Sequence, residues 1–193
     1  MTDRISNILL CPTQVAVDNL VAEGLTADKR VNREVLFCGD VMFDAVQYYR
    51  KQLKPCSKVE EYCRKNAKFV LATIHRAENT ENKERLEKLV AGLELLAQEI
   101  PVILPIHPGT YAKLNRFGIE FQKVQLWEPV GYFDMLAMLE HCSTVATDSG
   151  GLQKEAYFFQ KPCLTLRTET EWVELVQSGW NRLCGAESEE ILT

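Results

Sequence analysis

The sequence predicts an α/β fold, with a mostly parallel sheet covered by helices on both faces. Three observations predict it. Short apolar runs of strand character alternate with helix-period segments along nearly the whole chain. The helical segments are long enough to cross from one parallel strand to the next. Polar clusters also follow strand after strand: His75-Arg76-Ala77-Glu78-Asn79, His107-Pro108-Gly109 and Asp148-Ser149-Gly150-Gly151. In an open parallel sheet, the carboxyl ends of the strands are where ligands bind.

The elements follow in order. Residues 7–11 read as a buried strand, and 13–24 as an amphipathic helix stopped by Gly24. A second strand covers 34–38, and Gly39-Asp40 opens a helix interrupted by Lys54-Pro55. A charged helix spans 57–66, a strand 69–74, a polar segment 75–80 and a long helix 81–98. In that helix Leu86, Leu89, Val90, Leu93 and Leu96 recur at helical spacing. Strands at 101–106, 124–127, 143–147, 162–166 and 181–184 alternate with helices beginning at 111, 132, 151 and 169. Residues 187–193 read as the acidic first turn of a further helix.

Composition excludes several classes. The 193 residues are 46% hydrophobic and 25% charged, which is globular rather than disordered. A net charge of −5 argues against a broad nucleic-acid footprint but allows a local anion pocket. The sequence shows no secretory leader and no apolar run long enough for a membrane span. The seven cysteines include no Cys-x-x-Cys pair and read as buried free thiols of a cytoplasmic protein. No His/Cys cluster has metal-ligand spacing, and no G-x-G-x-x-G supports a dinucleotide cofactor.

The most telling segment is 144–156, a strand that breaks at Asp148-Ser149-Gly150-Gly151 and resumes as a helix. Amides at a helix start lack intrahelical partners and carry partial positive charge. Glycines let an anion approach them, and Ser149 can cap the helix or donate to the anion. Glu155 lies one turn further on, either as a solvated helix residue or as an acceptor for ribose hydroxyls. His75, beside Arg76, follows a strand directly and is either a capping histidine or a proton donor to phosphate. His107 offers a phosphate contact or a structural hydrogen bond, fixed in direction by Pro108. Arg167 suits a diphosphate or a carboxylate partner such as Glu171. Thr168 and Glu171 also have capping-box spacing. His141, at a helix end, reads as a contact with the helix dipole.

Together these segments resemble the non-hydrolysing UDP-N-acetylglucosamine 2-epimerases. The resemblance is carried by Cys11-Pro12-Thr13-Gln14, by residues 39–45, by Thr73-Ile74-His75-Arg76-Ala77-Glu78-Asn79, by 147–155, by 166–172, and by Gly179-Trp180-Asn181. It implies the C-terminal, Rossmann-like half of a glycosyltransferase-B-like fold, which holds UDP. Residues 1–33 are then expected to be the tail of an N-terminal domain, and 34–193 the UDP-binding domain. It implies reversible inversion at C2 of UDP-GlcNAc, giving UDP-ManNAc, through elimination of UDP and re-addition, with no cofactor. His75 matches the family's active-site histidine. Ser149, Gly150, Gly151 and Glu155 match its UDP-binding turn and ribose-binding glutamate. Arg167 and His107 match positions near the phosphates, Val130 the loop beside uracil, and Arg76 is expected among the substrate-binding residues.

The Thr170-Glu171-Trp172 form is similar to a branch that acts on UDP-diacetamido sugar acids. Lys154 departs from the acid common at its position. The family's proton-transfer acids belong to the N-terminal domain, so the expectation is a truncated enzyme inactive on its own. A non-catalytic UDP-binding module and a glycosyltransferase of the same fold are the competing readings. The expected partner is a UDP-sugar, with no nucleic acid or membrane. Self-association through apolar surface left by the missing domain, giving a homo-oligomer, is a further expectation.

Overall fold

The structure, a computed structural model, describes residues 1–66 and 68–192. The last residue of the helix expected at 187–193 thus lies outside the described residues. The chain forms two compact units, Met1–Tyr48 and Tyr49–Thr193.

The first unit contains α1 (Thr2–Ile5), β1 (Ile8–Cys11), α2 (Gln14–Ala22), a 3-10 turn (Lys29–Val31) and β2 (Glu34–Phe37). It ends within α3 (Val41–Arg50). The hydroxyl of Thr13 starts α2 by accepting the Ala16 N–H at 3.2 Å. Gly24, at φ +73°, ends that helical segment in the left-handed conformation that glycine adopts without strain. β1 and β2 pair in parallel from Ile8 opposite Glu34 to Cys11 opposite Phe37, in a two-stranded sheet of their own. The compact units divide between Tyr48 and Tyr49.

The second unit continues with α4 (Ser57–Lys65), β3 (Val70–Thr73), α5 (Ala77–Thr80), α6 (Lys83–Glu99), β4 (Val102–Pro105) and α7 (Pro108–Phe117). It goes on through β5 (Gln125–Trp127), α8 (Tyr132–His141), β6 (Thr144–Thr147), α9 (Gly150–Phe158) and β7 (Cys163–Thr165). α10 (Val173–Gln177), β8 (Asn181–Leu183) and α11 (Ser188–Leu192) complete it. Its sheet is parallel throughout, in the order β5-β4-β3-β6-β7-β8. Strand order reverses between β3 and β6, which opens a crevice at their carboxyl ends.

The core explains the order. Every residue of β4 is buried, as are Val70, Leu71 and Ala72 of β3, as befits strands covered on both faces. α6 presents Leu86, Leu89, Val90 and Leu93 to the sheet. Gly92 lets α11 approach closely: a Cβ there would lie 2.6 Å from Ile191 Cδ1. Burying each such aliphatic side chain contributes about 1.5–3 kcal/mol.

Several element ends differ from expectation for local reasons. α6 begins at Lys83 because Asn82 caps it, accepting the Arg85 N–H at 3.0 Å. α7 begins at Pro108, before the expected 111, because His107 is its cap. The polar segment after β3 winds into α5. The helix expected from 169 starts only at Val173, and the Thr168–Glu171 capping box does not form. Glu171 is committed to Arg167, while Thr170 Oγ1 accepts the Trp172 N–H at 3.2 Å. Among the free cysteines, Cys11, Cys63, Cys142, Cys163 and Cys184 are buried as expected, but Cys38 and Cys56 are exposed. No described helix is long and apolar enough to cross a membrane.

Candidate functional site

A cleft of about 350 Å³ lies at the strand-order reversal. It brings together His75, His107, Val130, Ser149, Gly151 and Glu155 from the sequence-predicted set. Ile74, Met135 and Leu152 add apolar lining, and Pro129 sits beside Val130. Arg76, Gly150 and Arg167 stand outside that lining, in an ion cluster gathered around Glu171.

Asp148, fully buried at the end of β6, organises the His75 side of the cleft. The His75 N–H reaches both its oxygens, at 3.1 and 3.0 Å. The Arg76 N–H donates at 2.9 Å and Asn79 Nδ2 at 3.0 Å. His75 Nδ1 lies 3.1 Å from Oδ1. Burial alone would raise the Asp148 pKa, but hydrogen bonds from His75, the Arg76 amide and Asn79 outweigh it and hold the carboxyl below its ordinary value. The Asp148 hydrogen bond raises the pKa of His75, against burial and the charge of Arg76. With Nδ1 committed and the side chain 45% exposed, Nε2 is the nitrogen available to a ligand.

These shifts set a pH dependence. A raised His75 pKa contributes stability in full below its unfolded value, about 6.5, and that contribution is lost as pH rises through the folded value. We expect His75→Gln to flatten the stability–pH curve across this interval. Urea midpoints measured against pH check it, and parallel curves for the two proteins would refute the assignment.

The glycine turn starts α9 as the sequence predicts. Ser149 Oγ accepts the Leu152 N–H at 3.4 Å, and the Ser149 N–H donates to Thr147 Oγ1 at 2.9 Å. The first-turn amides therefore sit at the cleft with the positive end of the dipole behind them. A Cβ at Gly150 would collide with Glu171 Oε1, the end of a flexible side chain that would have to swing aside, and would lie 3.5 Å from Trp172 Nε1. Trp172 Nε1 in turn donates to the Gly150 carbonyl at 2.8 Å.

Arg167 is largely buried, 2.8 Å from Glu171 Oε2 and 3.5 Å from Glu78 Oε1. Arg76 donates to the Asp148 carbonyl at 3.2 Å and lies 3.7 Å from Glu171 Oε1. His107 Nδ1 accepts the Gly109 N–H at 3.1 Å, so the structural hydrogen bond foreseen for it forms. An accepting Nδ1 carries no proton, which leaves Nε2–H as the ring's donor. Glu155 is partly buried, and that burial raises its pKa against a hydrogen bond from the Tyr132 hydroxyl. Burial and the Glu155 charge push Tyr132 up to about 12. His141 Nδ1 lies 2.9 Å from the Ala137 carbonyl, in the last turn of α8.

The sequence reading missed the roles of Asp148, Asn79 and Tyr132. Asp148 stood in the quoted cluster, but nothing local shows that its carboxylate turns towards a strand of distant sequence. Asn79 stood in the quoted segment for the same reason without a role.

Comparison with known proteins agrees with this geometry. The family described as UDP-N-acetylglucosamine 2-epimerase matches residues 1–193. The chain is 43% identical to the UDP-2,3-diacetamido-2,3-dideoxy-D-glucuronate 2-epimerase of Pseudomonas aeruginosa, covering 100% of this chain and 52% of that protein. It is 38% identical to a UDP-N-acetylglucosamine 2-epimerase of Methanococcus maripaludis, covering 100% of this chain and 54% of that one. The chain thus spans about half the length of these relatives. The crystal structure of Methanocaldococcus jannaschii UDP-GlcNAc 2-epimerase in complex with UDP-GlcNAc and UDP aligns at a TM-score of 0.87 and 34% identity, over 99% of this chain and 54% of that one. The Neisseria meningitidis enzyme bound to UDP-GlcNAc aligns at 0.82 and 27%, over 99% and 53%. On the match across its whole length, this chain belongs to the UDP-N-acetylglucosamine 2-epimerase family.

Proposed function

We propose that the chain is the UDP-binding portion of a UDP-sugar 2-epimerase acting on UDP-GlcNAc. One observation carries the reading: the cleft joins His75, the Ser149–Gly151 helix start and Glu155 at the point where strand order reverses. Amides of the glycine turn receive the diphosphate, with His107 and the Arg76–Arg167 cluster beside it. Glu155 accepts from the ribose hydroxyls, and main-chain groups at Val130 meet the uracil. With its Nδ1–H held by Asp148, the protonated His75 ring faces the sugar–phosphate linkage and donates its Nε2–H to the departing phosphate oxygen.

In the proposed reaction the C2 proton is removed, the C1–O bond breaks, and its electron pair leaves with UDP, giving a glycal. UDP oxygen then returns to C1 while a proton arrives on the opposite face of C2. The groups that exchange the C2 proton are proposed to lie in the part of the relatives' length that this chain does not span. A second reading, a UDP-diacetamido sugar acid as substrate, is favoured by the 43% identity to the Pseudomonas aeruginosa enzyme.

Isothermal titration of the 193-residue chain with UDP is expected to give a saturable heat with Kd below about 1 mM, roughly −4 kcal/mol. No heat at several millimolar UDP would end the binding reading. Competition between UDP-GlcNAc and the diacetamido sugar acid nucleotide separates the two substrates. The chain alone is expected to leave C2 of UDP-GlcNAc unchanged, and any inversion seen by NMR would contradict the division of roles.

A further inference from the structure

We propose that Asn79 and Arg85 are positioning residues: they hold Asp148, and through it the His75 ring, in the orientation that presents Nε2 to the cleft. The proposal rests on the role given to His75 above.

Asn79 is fully buried in α5. Its Nδ2 donates to Asp148 Oδ2 and to the Leu166 carbonyl, both at 3.0 Å. Its Oδ1 accepts from Arg85 Nε at 2.6 Å. A guanidinium only donates, so Arg85 fixes which end of the amide faces which way. A flipped Asn79 would set Nδ2 against the Arg85 donor and Oδ1 against two acceptors. The correct orientation supplies Asp148 Oδ2 with a side-chain donor beside the His75 and Arg76 amides. Oδ1 takes the His75 ring and shares the His75 amide.

Arg85, in the first turn of α6, thus reaches His75 through two buried side chains. The same Asn79 ties down the Leu166 carbonyl, next to Arg167, so one amide registers the ends of β3, β6 and β7. Arg85 Nη2 is buried without a hydrogen-bond partner among the described residues.

The test reads the tautomer of His75. A free neutral imidazole favours the Nε2–H form, whereas the Asp148 contact demands Nδ1–H and leaves Nε2 as acceptor until the ring is protonated. Ring-nitrogen NMR of the 193-residue chain, above the pH at which His75 titrates, is expected to show Nδ1–H as the dominant form. Arg85→Met keeps the aliphatic stem and should make that form the minor one, with the His141 signals unmoved. Arg85→Lys, which restores a donor to Asn79 Oδ1, should recover it. An Nε2–H ring in the unmodified chain overturns the proposal without any variant. So does an unchanged Nδ1–H signal in folded Arg85→Met. Should Arg85→Met fail to fold, Asn79→Ser is read in the same way. UDP calorimetry on the unmodified chain is independent: absent heat with a shifting tautomer removes the binding reading and leaves the positioning network, and binding with a fixed tautomer does the reverse.

Discussion

Asp148→Asn is expected to destabilise the protein by about 3 kcal/mol and to release the His75 ring. The carboxylate is fully buried and surrounded by donors: two backbone amides, Asn79 Nδ2 and the His75 ring. An isosteric amide keeps one acceptor oxygen and turns an NH2 group towards those donors. Volume is conserved, so the loss is one of hydrogen bonding rather than packing. Urea unfolding at constant m-value measures it. A change below about 1 kcal/mol, the worth of an ordinary hydrogen bond, would show that Asp148 is not the hub described here. The same lowered carboxyl pKa predicts that its contribution is present above its unfolded value and fades as pH falls through the folded one.

Gly150→Ala is expected to lower UDP affinity at least tenfold, or about 1.4 kcal/mol, while leaving stability almost unchanged. Two effects oppose each other in the fold. Alanine is favoured over glycine in a helix by up to about 1 kcal/mol. Against this, the new Cβ displaces the Glu171 carboxylate from its ion pair with Arg167. Glu171 is 42% exposed, and such pairs contribute about 0–1 kcal/mol. These terms nearly cancel in folding. They do not cancel in binding, because moving Glu171 disturbs Arg167 and Arg76 together and narrows the approach to the helix-start amides. Calorimetry with UDP and a melting curve read the two effects separately. Adding Glu171→Ala to Gly150→Ala tests the route: if Glu171 carries the effect, the two changes will be strongly non-additive. Unaltered UDP affinity in Gly150→Ala would place the nucleotide elsewhere.

Much of the second unit was legible in the sequence because its signals are local. The periodicity of Leu86, Leu89, Val90 and Leu93 marks α6 whatever it packs against. Asp148-Ser149-Gly150-Gly151 announces its helix start through backbone chemistry alone. The end of a helix is decided differently. Thr168 and Glu171 have the spacing of a capping box, yet Glu171 finds a guanidinium stronger than a backbone amide, and α10 begins at Val173. Arg167 sits on the same loop, but its second carboxylate, Glu78, comes from α5.

Cys38 and Cys56 show the same limit. The cysteines read together as buried thiols, but exposure depends on what lies opposite, and these two are exposed. His107 offered two roles from its position after a strand, and the capping bond to Gly109 N–H settled the use of Nδ1 while leaving Nε2 for the cleft.

The chain's own order of residues determined the alternating elements and the glycine-launched helix, since each depends on forces acting within a few neighbouring positions, and that alternation is what predicted a parallel sheet. Which strands stand side by side, and therefore that Asp148 grips His75 across 73 positions of chain, was decided only by the folded sheet. A carboxylate finds its partner by distance in space, and that distance exists only once β3 and β6 have paired.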